Sequence, residues 1–157
     1  MAVTGHMYTV ALNNITLSGT APLDIFSIKA STTQPFALTG IELGQVTNAA
    51  VVSARIRIKR TAALTVGSGG SAVTPAITLP GDPAAGAAAR VNDTTPATGT
   101  FVDNWNSVWN TVNGWLWVPP VPSRPPVVPA GGGFVLVLDT TVSSFVTNGV
   151  AMIEEVG

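Results

Sequence analysis

Apolar residues along this chain recur at alternate positions far more often than at every third or fourth, and that period belongs to strands. Residues 9–12 (TVAL) open the pattern, and Ile15 and Leu17 continue it. In residues 24–30 (DIFSIKA), Phe26 and Ile28 share a face. In residues 36–46 (FALTGIELGQV), Phe36 and Leu38 have one parity and Ile41 and Leu43 the other, which places a bulge at Gly40 to reset the register. Residues 51–66, 114–118, 134–140, 143–146 and 150–156 read as further strands, and a short one at 100–103 brings the total to about eight or nine. Many short strands separated by turn residues predict an all-β sandwich or barrel, as one domain over residues 1–157.

Helical signals are few. AAGAAAR at 84–90 could make one turn, weakened by Gly86 and the Asp82-Pro83 before it. Phe101, Trp105, Val108, Trp109 and Val112 fit an amphipathic helix by spacing, but the intervening Asn, Thr, Ser and Val are poor helix formers. A helix is the less favoured state there.

Two long tracts, 67–99 and 119–133, are read as extended loops or arms. Connections this long are uncommon in a compact domain. They are rich in Ala, Val, Pro, Gly and Thr and hold four charged residues, Asp82, Arg90, Asp93 and Arg124. Disordered tracts usually carry high charge and low hydrophobicity, so these are expected to lie on another protein surface. In the second tract Pro119, Pro120, Pro122, Pro125, Pro126 and Pro129 enforce an extended path and remove backbone donors, which excludes a central strand. A stiff crossover closed by Gly131, Gly132 and Gly133 is the expectation.

Composition sharpens this picture. The chain has 157 residues, is 46% hydrophobic and only 10% charged, and has a mean hydropathy of +0.42. About 25% charge is usual for soluble domains. The longest strongly apolar run, FVLVL at 134–138, is far short of the ~20 residues of a spanning helix, and no secretory signal pattern opens the sequence. A chain so poor in charge is expected to bury surface against copies of itself or a host assembly. The net charge of −1 gives no general attraction to nucleic acid. Without cysteine there is no disulfide framework, thiolate metal site or cysteine nucleophile.

Three constellations carry alternatives. In residues 54–60 (ARIRIKR), Arg55, Arg57 and Lys59 share one parity, and Ala54, Ile56, Ile58 and Arg60 the other. The basic face is either a solvated edge, a stripe that docks on an acidic neighbour such as the Glu154–Glu155 pair of another copy, or a weak, salt-sensitive phosphate contact. Trp105, Trp109, Trp115 and Trp117 lie close together. Trp115 and Trp117 suit one face of a sandwich and Trp105 and Trp109 a seam between subunits, while an open aromatic platform would suit sugars. Catalytic and cofactor signals are nearly absent. The one histidine, His6, is near an N-terminus expected to be mobile, and no zinc cluster, P-loop or dinucleotide fingerprint occurs. Glu154 and Glu155, being adjacent, fall on opposite faces of a strand and cannot share an acid/base role.

The segments GSGGSAVTPAITLPGDPAAGAAARVND, NGWLWVPPVPSRPPVVPAGGGFVLVL and AMIEEV together resemble a group of small head decoration, or cement, proteins of tailed bacteriophages. The likeness spans roughly residues 51–156, and the first fifty residues share only a β-rich character. It implies a jelly-roll-like two-sheet β-sandwich, no catalytic residue, no cofactor and no metal. The implied role is that of a virion protein, made in the host cytoplasm, that binds the outside of the head and stabilises contacts between major capsid subunits. A homo-oligomer is expected, a trimer by analogy and a dimer as the alternative, with no nucleic-acid or membrane partner. Candidate interface residues are Arg55, Arg57, Lys59, Pro75, Ile77, Leu79, Pro83, Trp105, Trp109, Pro120, Pro122 and Arg124. A carbohydrate-binding sandwich on a tail fibre and a tail or baseplate component are the alternative roles.

Overall fold

The computed structural model describes residues 5–46 and 53–156, with the backbone alone at 18 and 19. Among these residues there is no helix. The strands are β1 (His6–Gly19), β2 (Leu23–Lys29), β3 (Phe36–Gln45), β4 (Ser53–Thr61), β5 (Ser71–Val73), β6 (Ala76–Ile77), β7 (Ala88–Asp93), β8 (Val102–Asn110), β9 (Trp115–Trp117), β10 (Val127–Val128), β11 (Gly133–Leu138) and β12 (Val142–Glu155). They form two antiparallel six-stranded sheets. The first runs β10-β3-β12-β1-β6, with β9 also on β3, and the second runs β5-β7-β2-β11-β4-β8. With the shortest strands and the added β7 set aside, the orders 3-12-1 and 2-11-4-8 are those of a jelly roll, in which the first and last strands pair and the chain crosses repeatedly between sheets.

The inner faces follow from the period-2 pattern. Leu38, Ile41 and Leu43 of β3, Ile56 and Ile58 of β4, Leu136 of β11 and Ile153 of β12 meet between the sheets. Phe36 and Phe134 close one region edge to face, with ring centroids 5.7 Å apart. The parity switch in β3 is a bulge. Leu38 faces Ile153 and Gly40 faces Met152, leaving Thr39 as the extra residue. The Met152 side chain lies over Gly40, where a Cβ would come within 2.6 Å of its Cε.

Strand β11 is buried on both faces, as its unbroken apolar sequence requires. Its outer residues Val135 and Val137 form a second small cluster with Leu64 and Ala97. The cover is a flap made of residues 61–70 and 94–101. Its two halves are stitched by reciprocal N–H···O bonds, Thr65 with Thr98 and Ser68 with Thr95, at 2.9–3.0 Å.

Several expectations are corrected here. The 67–99 tract is long and mostly irregular, yet it is no free arm. Its β5 and β7 extend the second sheet and β6 borders the first. The Ala-rich 84–90 stretch leads into strand β7 rather than a helix, because Ala89 and Val91 are small enough to complete the core beside Ile28 and Phe26. Residues 102–110 are strand, and a strand puts Trp105 and Trp109 on one face as well as a helix would. Residues 143–146 and 150–156 belong to one long strand, β12. Val51 and Val52 lie outside the described residues. The proline tract does form a crossover, joined to β3 at the sheet's margin, where proline is tolerated, through β10 and the adjacent Pro126 O, which accepts Leu38 N–H at 3.0 Å. It closes in a tight turn with Gly131 at φ +76°, and Gly132 N–H donates to Pro129 O at 2.9 Å.

Trp109 is 1% exposed, stacks edge to face on Phe145 and donates Nε1–H to Asn113 O at 2.9 Å. Trp109→Ala should therefore cost about 3–5 kcal/mol of stability, read from urea unfolding. A change below about 1 kcal/mol would show that the ring is not part of the core.

Candidate functional site

The basic face of β4 is neutralised within the chain. Strand register sets Arg57 between Val137 of β11 and Asn106 of β8, and Asp139 follows directly on β11. Arg57 donates to both carboxylate oxygens of Asp139, through Nη2 at 2.9 Å and through a shorter Nε contact, and its Nη1 reaches Asp103 at 3.1 Å. The hydrogen bonds to Asp139, more than those to Asp103, hold its guanidinium even further above its ordinary range. Arg55 Nε bonds Asn106 Oδ1 at 3.3 Å and lies 3.9 Å from Asp139. Lys59 sits 5.3 Å from the centre of the Phe101 ring. The stripe is thus tied into an intramolecular network, with Arg55 the most exposed of its three basic residues. The suggested acceptor pair divides as strand geometry demands. Glu155 is buried, accepting the N–H groups of Gly86 and Ala87 at 3.1 and 2.6 Å, whereas Glu154 is half-buried on the other face.

Those bonds also fix the PGDPAAGA segment. Tyr8 donates its hydroxyl to Pro83 O at 3.1 Å, and His6 Nδ1 lies 3.1 Å from Asp82. His6 opens strand β1 opposite Glu155, so the expectation of a mobile position there is corrected. Among the candidate contact residues of this tract, Pro75 is buried and cannot dock as it stands. Ile77, Leu79 and Pro83 are exposed. In the second tract Pro120, Pro122 and Arg124 are exposed at the tip of the crossover. Trp109 is corrected from interface to core, while Trp105 remains 40% exposed. Trp115 and Trp117 face inward from β9, paired with Leu43 and Ile41.

A buried polar cluster that the sequence reading missed lies under the flap. Asp24 accepts Ala97 N–H at 2.6 Å. Asp93 accepts from Gly70 N–H, from the Ser27 hydroxyl and from Arg90. Burial raises the Asp24 pKa to about 6, and the Asp93 and Asp139 charges add to that against the opposing pull of Ala97 N–H and Lys59. An aspartate inside an otherwise alternating strand was the available signal, but its depth depends on the flap. Among the described residues no group of three or more His, Asp or Glu is arranged to hold a metal. A cleft of about 410 Å3 opens near the ends of β4, β8 and β10, lined by Arg60, Thr61, Ala63, Thr100, Val102 and Val127. It offers one cation and two hydroxyls, without an acid/base pair.

The second feature missed from the sequence is the outer face of the first sheet. Register places Met7, Thr9 and Ala11 of β1 beside Glu154, Met152 and Val150 of β12, and the latter beside Ala37, Gly40 and Glu42 of β3. Leu116 of β9 lies next to Glu42, and Val127 of β10 next to Ala37. No flap covers this face among the described residues. Leu116 is 66% exposed, Val127 is exposed, and Met7, Val150 and Met152 are half-buried. The charged side chains on it are two carboxylates, Glu42 and Glu154. Composition reports the abundance of apolar residues but not their gathering, because each comes from a different strand.

Comparison of the chain with protein-family models, curated proteins and solved structures finds no match.

Two outcomes test the electrostatics. Arg57→Met leaves Asp139 without its bidentate partner and should cost about 1–3 kcal/mol, measured by denaturation at neutral pH. No loss would mean that Asp139 is satisfied by water. Because the folded pKa of Asp24 lies above its unfolded value of 3.8, the native state binds the extra proton between about pH 4 and 6. Stability should therefore fall as pH rises through that window, by roughly 2–3 kcal/mol from this group. Asp24→Asn should flatten the fall, and an unchanged pH profile would contradict the assignment.

Proposed function

We propose that this protein is a structural, non-enzymatic component of a tailed-phage particle. It would sit on the outer surface of the head and tie neighbouring major capsid subunits together. The observation that carries this reading is the asymmetry of the two sheets. The second sheet is covered over much of its outside by the flap and by internal ion pairs, whereas the first offers a broad apolar face bearing two carboxylates. Apolar surface collected on one side is the mark of an interaction face. The jelly-roll strand order, the low charge and the likeness of the GSGG-to-PGDPAAGA and Pro-rich segments to decoration proteins support it.

The mechanism is burial over seams. Each ~1,000 Å2 of apolar area removed from water contributes on the order of 25 kcal/mol before ordering and association costs reduce it heavily. Repetition over a shell then makes weak individual contacts strong together. The exposed crossover tip at Pro120, Pro122 and Arg124 lies beyond β10 on the same sheet's margin and would extend the contact. A sugar-binding platform has less support, since of the four tryptophans only Trp105 is exposed.

Leu116→Asp combined with Met152→Asp tests the docking face. Both side chains point away from the core, so circular dichroism and urea midpoint should change little. Binding to shells lacking the protein, read by co-sedimentation, should weaken at least tenfold. Unchanged binding would remove this face from the mechanism, and cryo-microscopy placing the protein on the tail would overturn the head location.

A further inference from the structure

We infer that the outer edge of β8 is a self-association site, where two copies pair antiparallel across a twofold axis to make one continuous sheet. Strand ladders end in unpaired N–H and C=O groups, and proteins usually blunt such edges with short strands, charge or a covering segment. Of the four terminal strands, β5, β6 and β10 are three, two and two residues long. β8, with nine residues, is the longest. Among the described residues it pairs only with β4, and no backbone hydrogen bond joins Val102–Trp109 to another element.

The side chains of β8 suit a second copy of the same strand. Its single charged residue is Asp103, already held by Arg57. A bulge at Asn104 interrupts the register with β4, so the regular stretch runs from Trp105 to Asn110. Residues that face each other in an antiparallel pair point to the same side of the sheet, and Trp105, Ser107 and Trp109 share a side. A twofold axis at Ser107 uses nearly all of the regular stretch, setting Trp105 across from Trp109 of the other copy and Asn106 across from Val108. An axis at Val108 would run Trp105 past the end of the strand. With the axis at Ser107, the two Asp103 positions are eight residues apart along the paired edges, roughly 27 Å, well beyond the screening length of about 8 Å. Trp105 and Val108, 40% and 64% exposed, would both be covered. One antiparallel edge pairs once, so this geometry closes at two copies rather than three.

The inference is independent of the capsid, and purified protein tests it. Sedimentation equilibrium of the wild type at tens of micromolar should give a dimer, twice the 16.0 kDa chain mass. Val108→Lys places a charge on the exposed edge without touching the core, and should weaken dimerisation at least tenfold with an unchanged far-ultraviolet spectrum. Since the chain has no cysteine, Ser107→Cys provides a clean second test. Cα atoms at the axis would be about 4.5–5.5 Å apart, within disulfide range, so mild oxidation should yield a cross-linked dimer. A wild-type monomer or trimer, undiminished dimerisation of Val108→Lys, or no cross-link in Ser107→Cys would each overturn the proposal. Shell binding by Val108→Lys, measured alongside, separates failure of this edge from failure of the docking face.

Discussion

The structure depends on one strand, β11, that needs cover on both sides. Its inward Phe134, Leu136 and Leu138 fill the space between the sheets, and its outward Val135 and Val137 would otherwise meet water. The flap from 61–70 and 94–101 supplies that cover. Its two halves come from different parts of the chain, so the long β4–β8 connection must travel around the sandwich and return. The flap also sets the electrostatics of the second sheet. It closes over Asp24 of β2, whose burial raises its pKa to about 6, while at the end of β11 Asp139 is placed to take up Arg57.

That cover leaves the two sheets chemically different. On the second, Arg55, Arg57 and Lys59 of β4 are held by Asp139, Asp103, Asn106 and the Phe101 ring, so most of their charge is answered locally. On the first, methionine, valine, leucine and alanine from β1, β3, β9, β10 and β12 form a face with two carboxylates. Such a division, with one side largely covered and the other open, is what the proposed structural role would use. The low overall charge is compatible with that role, because charged groups on a docking side would cost desolvation.

The PGDPAAGA segment shows why a long connection need not be an arm. It has the composition of a loop that would lie on a neighbour, yet Glu155, Tyr8 and His6 pin it to its own domain. Two backbone N–H groups donated to a buried carboxylate tie it down more firmly than its few apolar contacts could. Surface that composition assigns to a partner is therefore partly spent inside the fold, at Pro75, Ala87 and Trp109.

The sequence by itself determined the fold class, most of the main strands (β8 excepted) and the bulge in β3, because side-chain alternation, proline geometry and glycine placement act within a few residues. It also determined that Trp115 and Trp117 face inward together and that Glu154 and Glu155 part company. Only the tertiary structure decided that Arg57 faces Asp139, 82 positions away, that Asp24 is covered by Ala97, and that side chains from five strands share one bare face. It also decided the state of 84–93, where alanine's helical preference yields to the edge of β2. Local patterns set each strand's two sides. Which side meets cover, charge or water depends on contacts between residues far apart in the chain, and one-dimensional spacing carries no trace of those.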